Sequence, residues 1–175
     1  MDVTRLAINP VDPDVLYVGT SNHGVFKSTD GGAHWVAMNS GLPTINLSVS
    51  TLAIDPATPN TIYTSINPGG VFKSIDGGVN WNASSTGLPY NVGTLLIDPQ
   101  NPATLYAGKT AEGVYRSTDG GVSWSAFNDG LTAPNVECLV IHPTNHFPLY
   151  AGTYAEGLFV FQEIVYRVNL PLILR

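Results

Sequence analysis

An all-β fold, a β-propeller of four-stranded antiparallel blades, is predicted from three features of this 175-residue sequence. A phrase of the form LAIDP recurs at intervals of 46, 43 and 44 residues, starting at Leu6, Leu52, Leu95 and Leu139. A phrase of the form GVFKS keeps the same intervals, starting at Gly24, Gly70, Gly113 and Gly157. Charged residues make up only 11% of the chain, against 18 Gly and 13 Pro, which is typical of short strands joined by turns.

Each repeat is expected to form one blade of a single domain covering residues 1–175. The two markers place the blades at approximately 1–45, 46–89, 90–132 and 133–175. In the first unit VTRLAI, DVLYVGT, VFKS and HWVAM are strand-like, and the breaks between them are rich in Gly, Pro and Asn. Four short antiparallel strands in roughly 40 to 50 residues are the signature of a propeller blade.

A predicted turn between the third and fourth strands occurs three times in the sequence, as STDGGAHW, SIDGGVNW and STDGGVSW. Its aspartate is expected to accept backbone N–H groups, its glycines to supply positive φ, its serine to add a hydroxyl and its tryptophan to act as an apolar plug. These structural residues are Ser28, Asp30, Gly32, Trp35, Ser74, Asp76, Gly78, Trp81, Ser117, Asp119, Gly121 and Trp124.

The repeated turn resembles the Asp-box, or BNR, repeat. The four-unit context is similar to the Asp-box propellers of xyloglucanase-type glycoside hydrolases, sialidases, sortilin-like receptors and photosystem II assembly factors. The resemblance implies that the boxes are structural and lie on the face away from the ligand. The fourth unit departs from the pattern, because QEIVYRVNL follows GLFVF without the box residues. Since the same scaffold serves enzymes and binding proteins, the resemblance predicts the fold and leaves the function open.

The face opposite the boxes is the predicted binding face. Up-and-down strands place there the connections between the second and third strands and between successive blades. Loops on a rigid scaffold commonly carry binding residues. The candidates on these loops are His23, Asn67, Tyr90, Glu112, Asn135, Tyr154 and Glu156.

Catalytic carboxylates are scarce on this face. The xyloglucanase-type enzymes that the repeat resembles carry a catalytic Asp just before the third strand, where this chain has Ser21, Asn67, Thr110 and Tyr154. Glu112 and Glu156 are the weak candidates for an acid and base pair of the kind that glycosidases use. The aspartates Asp55 and Asp98 match Asn9 and His142 in other units, so that position is expected to need a turn former rather than an acid.

The sequence favours a non-catalytic propeller that acts as a binding or scaffold module for a glycan or a protein. Two alternatives stay open: a glycoside hydrolase, xyloglucanase-like or sialidase-like, or a fragment of one, and an assembly factor for a protein complex. The sialidase alternative is weakened because the chain has too few arginines to cluster around a substrate carboxylate. No catalytic residue is therefore assigned.

The composition of the chain limits the classes of partner and ligand that are expected. Thirteen Asp and Glu against seven Lys and Arg give a net charge of −6, so nucleic acid is not an expected partner. No apolar tract reaches the roughly 20 residues that a membrane span needs. No cofactor is expected, and no metal either, because His23, His34, His142 and His146 lack ligand spacing. The low charge favours an extracellular or cell-surface location, although the first ten residues carry no secretion signal.

The ends of the sequence and its single cysteine give the remaining expectations. A first strand near Val3 and a candidate fourth strand in VYRVNLPLIL allow every blade to be completed locally. The chain could then close as a four-bladed ring or pair its ends with a second copy, and the apolar LPLIL segment suggests a partner surface. Cys138 is expected to be a buried small hydrophobe within a strand.

Overall fold

A computed structural model describes residues 2–132, 134–144, 147–154 and 156–162, together with the backbone of 166–168. All regular structure in these residues is β-strand. The first two blades consist of β1 (Val3–Ile8), β2 (Leu16–Thr20), β3 (Val25–Ser28), β4 (Val36–Ala37), β5 (Ser48–Ile54), β6 (Ile62–Asn67), β7 (Gly70–Ser74) and β8 (Asn82–Ala83). The last two consist of β9 (Val92–Ile97), β10 (Leu105–Lys109), β11 (Gly113–Ser117), β12 (Ser125–Ala126), β13 (Val136–Ile141), β14 (Leu149–Thr153), β15 (Gly157–Phe161) and β16 (Tyr166–Val168).

Four separate antiparallel sheets follow one another along the chain. Each sheet has its strands in sequence order, from β1-β2-β3-β4 to β13-β14-β15-β16. The fourth sheet is completed locally, because Leu158 of β15 pairs with Val168 of β16. The predicted fold, a propeller of four-stranded antiparallel blades, is therefore confirmed. The part of the chain that the structure describes contains no helix long and apolar enough to cross a membrane.

Every blade has two apolar faces, because alternate residues of a strand point to opposite sides. Leu52 and Ile54 pack against blade 1, whereas Ala53 between them packs against blade 3. We call the side of a blade that meets the preceding blade its leading face, and the side that meets the following blade its trailing face. Stacking the trailing face of one blade on the leading face of the next builds the core.

The junction between blades 1 and 2 shows how the core is built. Tyr17 and Val25 of blade 1 meet Ile62, Phe72 and Trp81 of blade 2. The Tyr17 hydroxyl and the Lys27 ammonium both donate to the carbonyl of Gly77, at 3.0 and 3.2 Å. In the other direction, the indole N–H of Trp81 donates to the carbonyl of Met38 at 2.9 Å. The box turn of one blade is therefore bonded to the blade before it.

The second junction repeats the first. The Tyr63 hydroxyl and the Lys73 ammonium donate to the Gly120 carbonyl at 2.9 and 3.0 Å. The Trp124 indole donates to the Ser84 carbonyl at 2.8 Å. Burial raises the pKa of Tyr63 to about 12, with a smaller contribution from nearby carboxylates, so its hydroxyl keeps its proton at any physiological pH.

The third junction is different, because blade 4 has no box glycine to accept these bonds. Tyr106 of blade 3 instead packs against Phe127, with ring centroids 5.7 Å apart. Phe127 packs in turn against Phe161 of blade 4 at 5.1 Å. Aromatic contacts thus replace the hydrogen bonds of the other two junctions.

The described parts of the four blades follow one another in an arc. The first strands β1, β5, β9 and β13 lie side by side in that order. Among the described residues, three apolar clusters join successive blades, and none joins blade 4 to blade 1. Leu6 and Ile8 on the leading face of blade 1 are 60% and 53% exposed. Closure of the four blades into one ring therefore has no support among the described residues.

The prediction for Cys138 was wrong, because its side chain is exposed. Cys138 pairs with Gly152 on the trailing face of β13, and Val140 on the same face is 57% exposed. Among the described residues, none packs on the side chains of Cys138 and Val140 closely enough to bury them. The LPLIL segment, for which a partner surface was predicted, lies outside the described residues.

Candidate functional site on the loop face

The box turns are closed by a repeated set of hydrogen bonds. In the first box the Ser28 hydroxyl donates to Asp30 at 2.8 Å and accepts from the backbone N–H of Gly32 at 2.9 Å. The second carboxylate contact comes from the backbone N–H of His34, at 2.9 Å. The same pattern recurs in the other boxes around Asp76 and Asp119.

These hydrogen bonds hold each box aspartate in its charged form. The backbone and side chain of Asn80, followed by Ser74, lower the pKa of Asp76 to about 2. The side chain and backbone of Ser123, followed by Ser117, lower the pKa of Asp119 to about 2. The pKa of Asp30 is lowered further, chiefly by His34. A carboxyl group with so low a pKa is a poor general acid or base near neutral pH.

The depressed pKa values predict how stability depends on acidity. A carboxyl whose pKa is lower in the folded chain contributes stability that is full above its ordinary value, near 3.8, and is lost as the pH falls through about 2. We expect the urea midpoint of the wild type to fall between pH 4 and pH 2, and to fall less in Asp76→Asn/Asp119→Asn. Tryptophan fluorescence at each pH measures the midpoints. Equal pH dependence of the two proteins would contradict the assignment.

The DP turns lie on the same face as the boxes. Asp55 accepts the backbone N–H groups of Ala57 and Thr58 at 2.8 and 3.1 Å, and the Thr58 hydroxyl at 2.6 Å. Asp98 accepts the N–H of Gln100 at 2.9 Å. Both carboxylates are buried inside their turns, so this face presents no free acid from these positions.

A cleft of about 430 Å³ lies on the opposite face, which we call the loop face. It is bounded by the connection from β4 to β5, the turn between β6 and β7, and the connection from β8 to β9. Tyr90 and Ile45 on its walls are 66% and 74% exposed, so their apolar surfaces face solvent. The lining residues are Pro43, Ile45, Asn46, Ile66, Pro68, Gly69 and Tyr90.

Local sequence positions the walls of this cleft. Two Pro-containing turns face each other, and the γ-carbon of Pro43 lies 3.1 Å from where a β-carbon on Gly69 would be. Residue 69 must therefore stay small for the two loops to approach this closely. Asn46 adopts φ 55°, a left-handed conformation that Asn tolerates, and this turns the chain toward β5.

The structure brings only part of the predicted binding set into the cleft. Tyr90 lines it, and Asn67 precedes Pro68 in the turn that forms one wall. His23 is exposed beside the cleft region, where its backbone bridges to that of Leu47. Glu112, Asn135, Tyr154 and Glu156 belong to the turns of blades 3 and 4 and do not line the cleft.

Glu112 forms its hydrogen bonds and its ion pair within its own blade. Its carboxylate accepts the ammonium of Lys109 at 2.7 Å and the hydroxyl of Tyr115 at 3.3 Å. Lys109 is only 1% exposed, so this ion pair satisfies a buried charge. Burial raises the pKa of Tyr115, and the neighbouring Glu112 raises it further. The arrangement is that of a paired carboxylate.

The loop face of blade 4 is tied to blade 3 through Asn135. Its side-chain oxygen accepts the backbone N–H of Ala111 at 2.7 Å, and its carbonyl accepts that of Tyr154 at 2.9 Å. The Tyr154 ring is 71% exposed. Glu156 accepts the Thr132 hydroxyl at 3.2 Å. No contact between Glu112 and Glu156 joins the two as a pair.

The potential metal ligands of the described residues do not form a cluster. Among the described residues, no three His, Cys, Asp or Glu side chains are grouped so that they could hold a metal ion. The His142 ring accepts the backbone N–H of Thr144 at 3.3 Å within its turn. His146 lies outside the described residues.

Residues 115–126, which contain the third box, match the family described as BNR/Asp-box repeat. Solved structures with the same fold include an ancestral GH74 enzyme, which is 26% identical, has a TM-score of 0.71, and aligns over 90% of this chain and 24% of its own. The chain carries Asp-box repeats on a propeller fold. The resemblance drawn from the sequence is thereby confirmed.

Two further structures share the fold of this Asp-box chain. The extracellular domain of a putative one-component system from B. thetaiotaomicron is 17% identical with a TM-score of 0.76, over 99% of this chain and 22% of that one. YCF48 from Cyanidioschyzon merolae is 16% identical with a TM-score of 0.60, over 92% and 53%. No curated protein sequence matches significantly. The Asp-box chain spans about a quarter of the length of the GH74 enzymes it resembles, 24% and 28%.

Sequence reasoning missed most of the cleft of this Asp-box propeller. Of the residues that line it, only Tyr90 was among the predicted binding residues. An available signal was the pair of loops TGLPY and SGLPTIN, which place an apolar residue one or two positions after a Pro. Contiguous exposed apolar residues mark interaction sites, whereas single ones are common on any protein surface.

Proposed function

We propose that the chain is a non-catalytic binding module whose loop-face cleft takes an apolar segment of a protein partner. The observation that carries the proposal is the cleft of about 430 Å³ between the Pro43 and Pro68 loops. Its size lies within the range of roughly 300 to 1,000 Å³ that small binding pockets have. Its walls are loops that connect packed strands of blades 1, 2 and 3.

The chemistry of the walls favours a peptide. The lining residues include no charged side chain, and their polar groups are limited to the Asn46 amide, the Tyr90 hydroxyl and backbone. A sugar needs many hydrogen-bonding partners, because each of its hydroxyls loses water on binding. An extended peptide instead can bury apolar side chains against the proline and tyrosine rings of the walls, as peptides do in other apolar grooves.

The composition of the chain and one of its structural neighbours support a partner outside the cytoplasm. A net charge of −6 with few charged residues gives a surface that favours neutral or basic segments. The extracellular domain with which the chain shares its fold is one example of this architecture outside the cell. A scaffold or complex-assembly role is a form of the same proposal, since both need a protein ligand.

Selection from a phage-displayed random peptide library is the test. We expect peptides with apolar residues to be enriched on the wild type and to bind Tyr90→Ala at least tenfold more weakly, because the tyrosine ring is a wall of the cleft. Fluorescence anisotropy of the enriched peptides measures the loss. Xyloglucan oligosaccharides are measured in parallel by calorimetry.

The matched control is Tyr154→Ala. Tyr154 is 71% exposed against 66% for Tyr90, and it lies on the same face without lining the cleft. Its loss should leave peptide affinity unchanged. Enriched peptides that ignore the Tyr90 substitution, or oligosaccharide binding that Tyr90→Ala abolishes, would refute a peptide ligand.

A carbohydrate-active role is the second candidate, and it is favoured by the 26% identity to an ancestral GH74 enzyme. Against it, the candidate acid Glu112 is bonded to Lys109 and Tyr115. Release of reducing ends from xyloglucan that stops in Glu112→Gln would establish it over the binding role.

A further inference from the structure

Four Asp-Gly pairs occur in this chain, three in the box turns and one in the connection from β12 to β13. The box pairs begin at Asp30, Asp76 and Asp119, and the fourth pair is Asp129-Gly130. An Asp-Gly pair is prone to rearrange, because glycine has no side chain to hinder attack of its amide nitrogen on the preceding carboxyl group. The structure places the four pairs in two different settings.

In the box turns, hydrogen bonds hold both of the groups that would react. The glycine N–H donates to the carbonyl of a residue in the turn between the first and second strands of its own blade. These donors and acceptors are Gly31 and Asp14 at 3.0 Å, Gly77 and Asn60 at 2.9 Å, and Gly120 and Ala103 at 2.8 Å.

The box carboxyl groups are also held in the unreactive state. Asp76, for example, accepts the backbone N–H and the side chain of Asn80 and the hydroxyl of Ser74, and these bonds lower its pKa. The rearrangement needs a protonated carboxyl group, because its oxygen must leave as water. A carboxylate with a lowered pKa is rarely protonated near neutral pH.

The fourth pair lies in a turn that holds neither group. The Leu131 N–H donates to the Asn128 carbonyl at 2.9 Å, so Asp129 and Gly130 occupy the two central positions of a β-turn, where Gly130 adopts φ 77°. The hydrogen bond of such a turn does not use the N–H of its third residue. Both central residues are exposed, and among the described residues neither the Gly130 N–H nor the Asp129 carboxylate has a hydrogen-bond partner.

We infer that Asp129 is a site of spontaneous isoaspartate formation, a modification that the fold prevents in the three boxes. The amide nitrogen of Gly130 attacks the protonated carboxyl carbon of Asp129. A bond forms between these two atoms, the bond from that carbon to its hydroxyl breaks, and water leaves with the amide proton, which gives a five-membered succinimide.

Hydrolysis of the succinimide completes the rearrangement. Water adds to the former backbone carbonyl of residue 129, and the bond from that carbon to the nitrogen of Gly130 breaks. The chain then runs through the former side-chain carbonyl, and the former backbone carbonyl becomes a free carboxylate. One water is lost and one is gained, so the mass of the chain does not change.

The modification would act on the connection between blades 3 and 4. Isoaspartate adds one methylene to the backbone, between two residues that are held in place. The Asn128 side-chain oxygen accepts the backbone N–H of Val114 at 2.7 Å, and Leu131 packs on the apolar cluster shared by blades 3 and 4. The inference goes beyond the proposed binding role, because Asp129 does not line the cleft.

Prolonged incubation of the folded chain at neutral pH tests the inference. An endoproteinase that cleaves before aspartate but not before isoaspartate is then applied, and mass spectrometry of the fragments measures the uncleaved fraction at each site. We expect isoaspartate to form about tenfold or more faster at Asp129 than in any box, because a box turn reacts only in the small opened fraction of molecules. The same incubation in urea should bring the four rates within a few-fold of one another.

Asp129→Ser is the matched variant. Serine stands at the equivalent position of the first repeat, Ser40, where the Leu42 N–H closes the same turn on the Asn39 carbonyl at 3.1 Å. This exposed substitution should keep the fold. It should also abolish methyl transfer to the incubated folded chain by a protein-isoaspartate methyltransferase with a labelled methyl donor.

Three results would each overturn the inference. The first is rearrangement of a box aspartate in the folded chain as fast as that of Asp129. The second is an Asp129 that stays intact in the folded chain while it rearranges in urea. The third is methyl transfer that persists in Asp129→Ser.

Discussion

Trp81→Ala is expected to lower the free energy of unfolding by about 3 to 5 kcal/mol, as large-to-small changes of buried aromatic residues do. The Trp81 side chain is 3% exposed and fills the core between blades 1 and 2. Its loss leaves a cavity and also removes the hydrogen bond to the Met38 carbonyl. Urea denaturation followed by circular dichroism measures the change.

Trp35→Ala is the matched control for that experiment. Trp35 occupies the same place in its box but is 36% exposed, and its indole bonds only within its own turn. We expect this substitution to lower the free energy of unfolding by about 1 kcal/mol or less. Equal losses for the two substitutions would mean that the tryptophans stabilise their own turns rather than the junctions.

Gly41→Ala is expected to cost roughly 3 kcal/mol or more, in the range of the severe single substitutions. Gly41 has φ 88°, and a β-carbon there would collide with the backbone carbonyl of Trp81 in the next blade. Neither backbone can yield, because the Trp81 N–H is bonded to the Ser40 carbonyl at 2.9 Å. The midpoint of urea denaturation is the measurement.

Gly157→Ala separates the two causes of that loss. Gly157 has φ 89°, but a β-carbon there would meet nothing within 4 Å. This substitution should lower the free energy of unfolding only by the strain of an alanine in the left-handed conformation, about 1 to 2 kcal/mol. If Gly41→Ala cost no more than Gly157→Ala, the close approach of the two blades at Gly41 would be disproved.

The strands and turns could be predicted because their signals are local. Alternation in VTRLAI and the Asp and Gly of the boxes act within a few residues, so the sequence alone places β1 and the turn around Asp30. Because the two sequence markers recur at the same intervals, the prediction for one blade applies to all four. What could not be predicted is how far each blade turns relative to its neighbour, because that depends on packing between faces far apart in the sequence.

The errors at the candidate site have the same origin. Cys138 lies in a strand whose pattern equals that of a buried one, but its exposure depends on what packs against that strand, which the pattern does not contain. Glu112 stood out as a carboxylate on a loop, whereas its pairing with Lys109 depends on that lysine replacing the Thr20 and Ile66 of the earlier units. A repeat pattern predicts only the features that all units share, so it does not predict a contact that depends on a residue found in one unit.

The missing box of blade 4 has a consequence for how the chain opens. Hydrogen bonds to the Gly77 and Gly120 carbonyls join the box turns of blades 2 and 3 to the blades before them, whereas blade 4 is attached by aromatic contacts and by hydrogen bonds of its loops, such as that between Ala111 and Asn135. In a linear array of repeats, stability is the sum of each unit and its contacts with neighbours. We therefore expect amide hydrogen exchange to be faster in blade 4 than in blades 1 to 3.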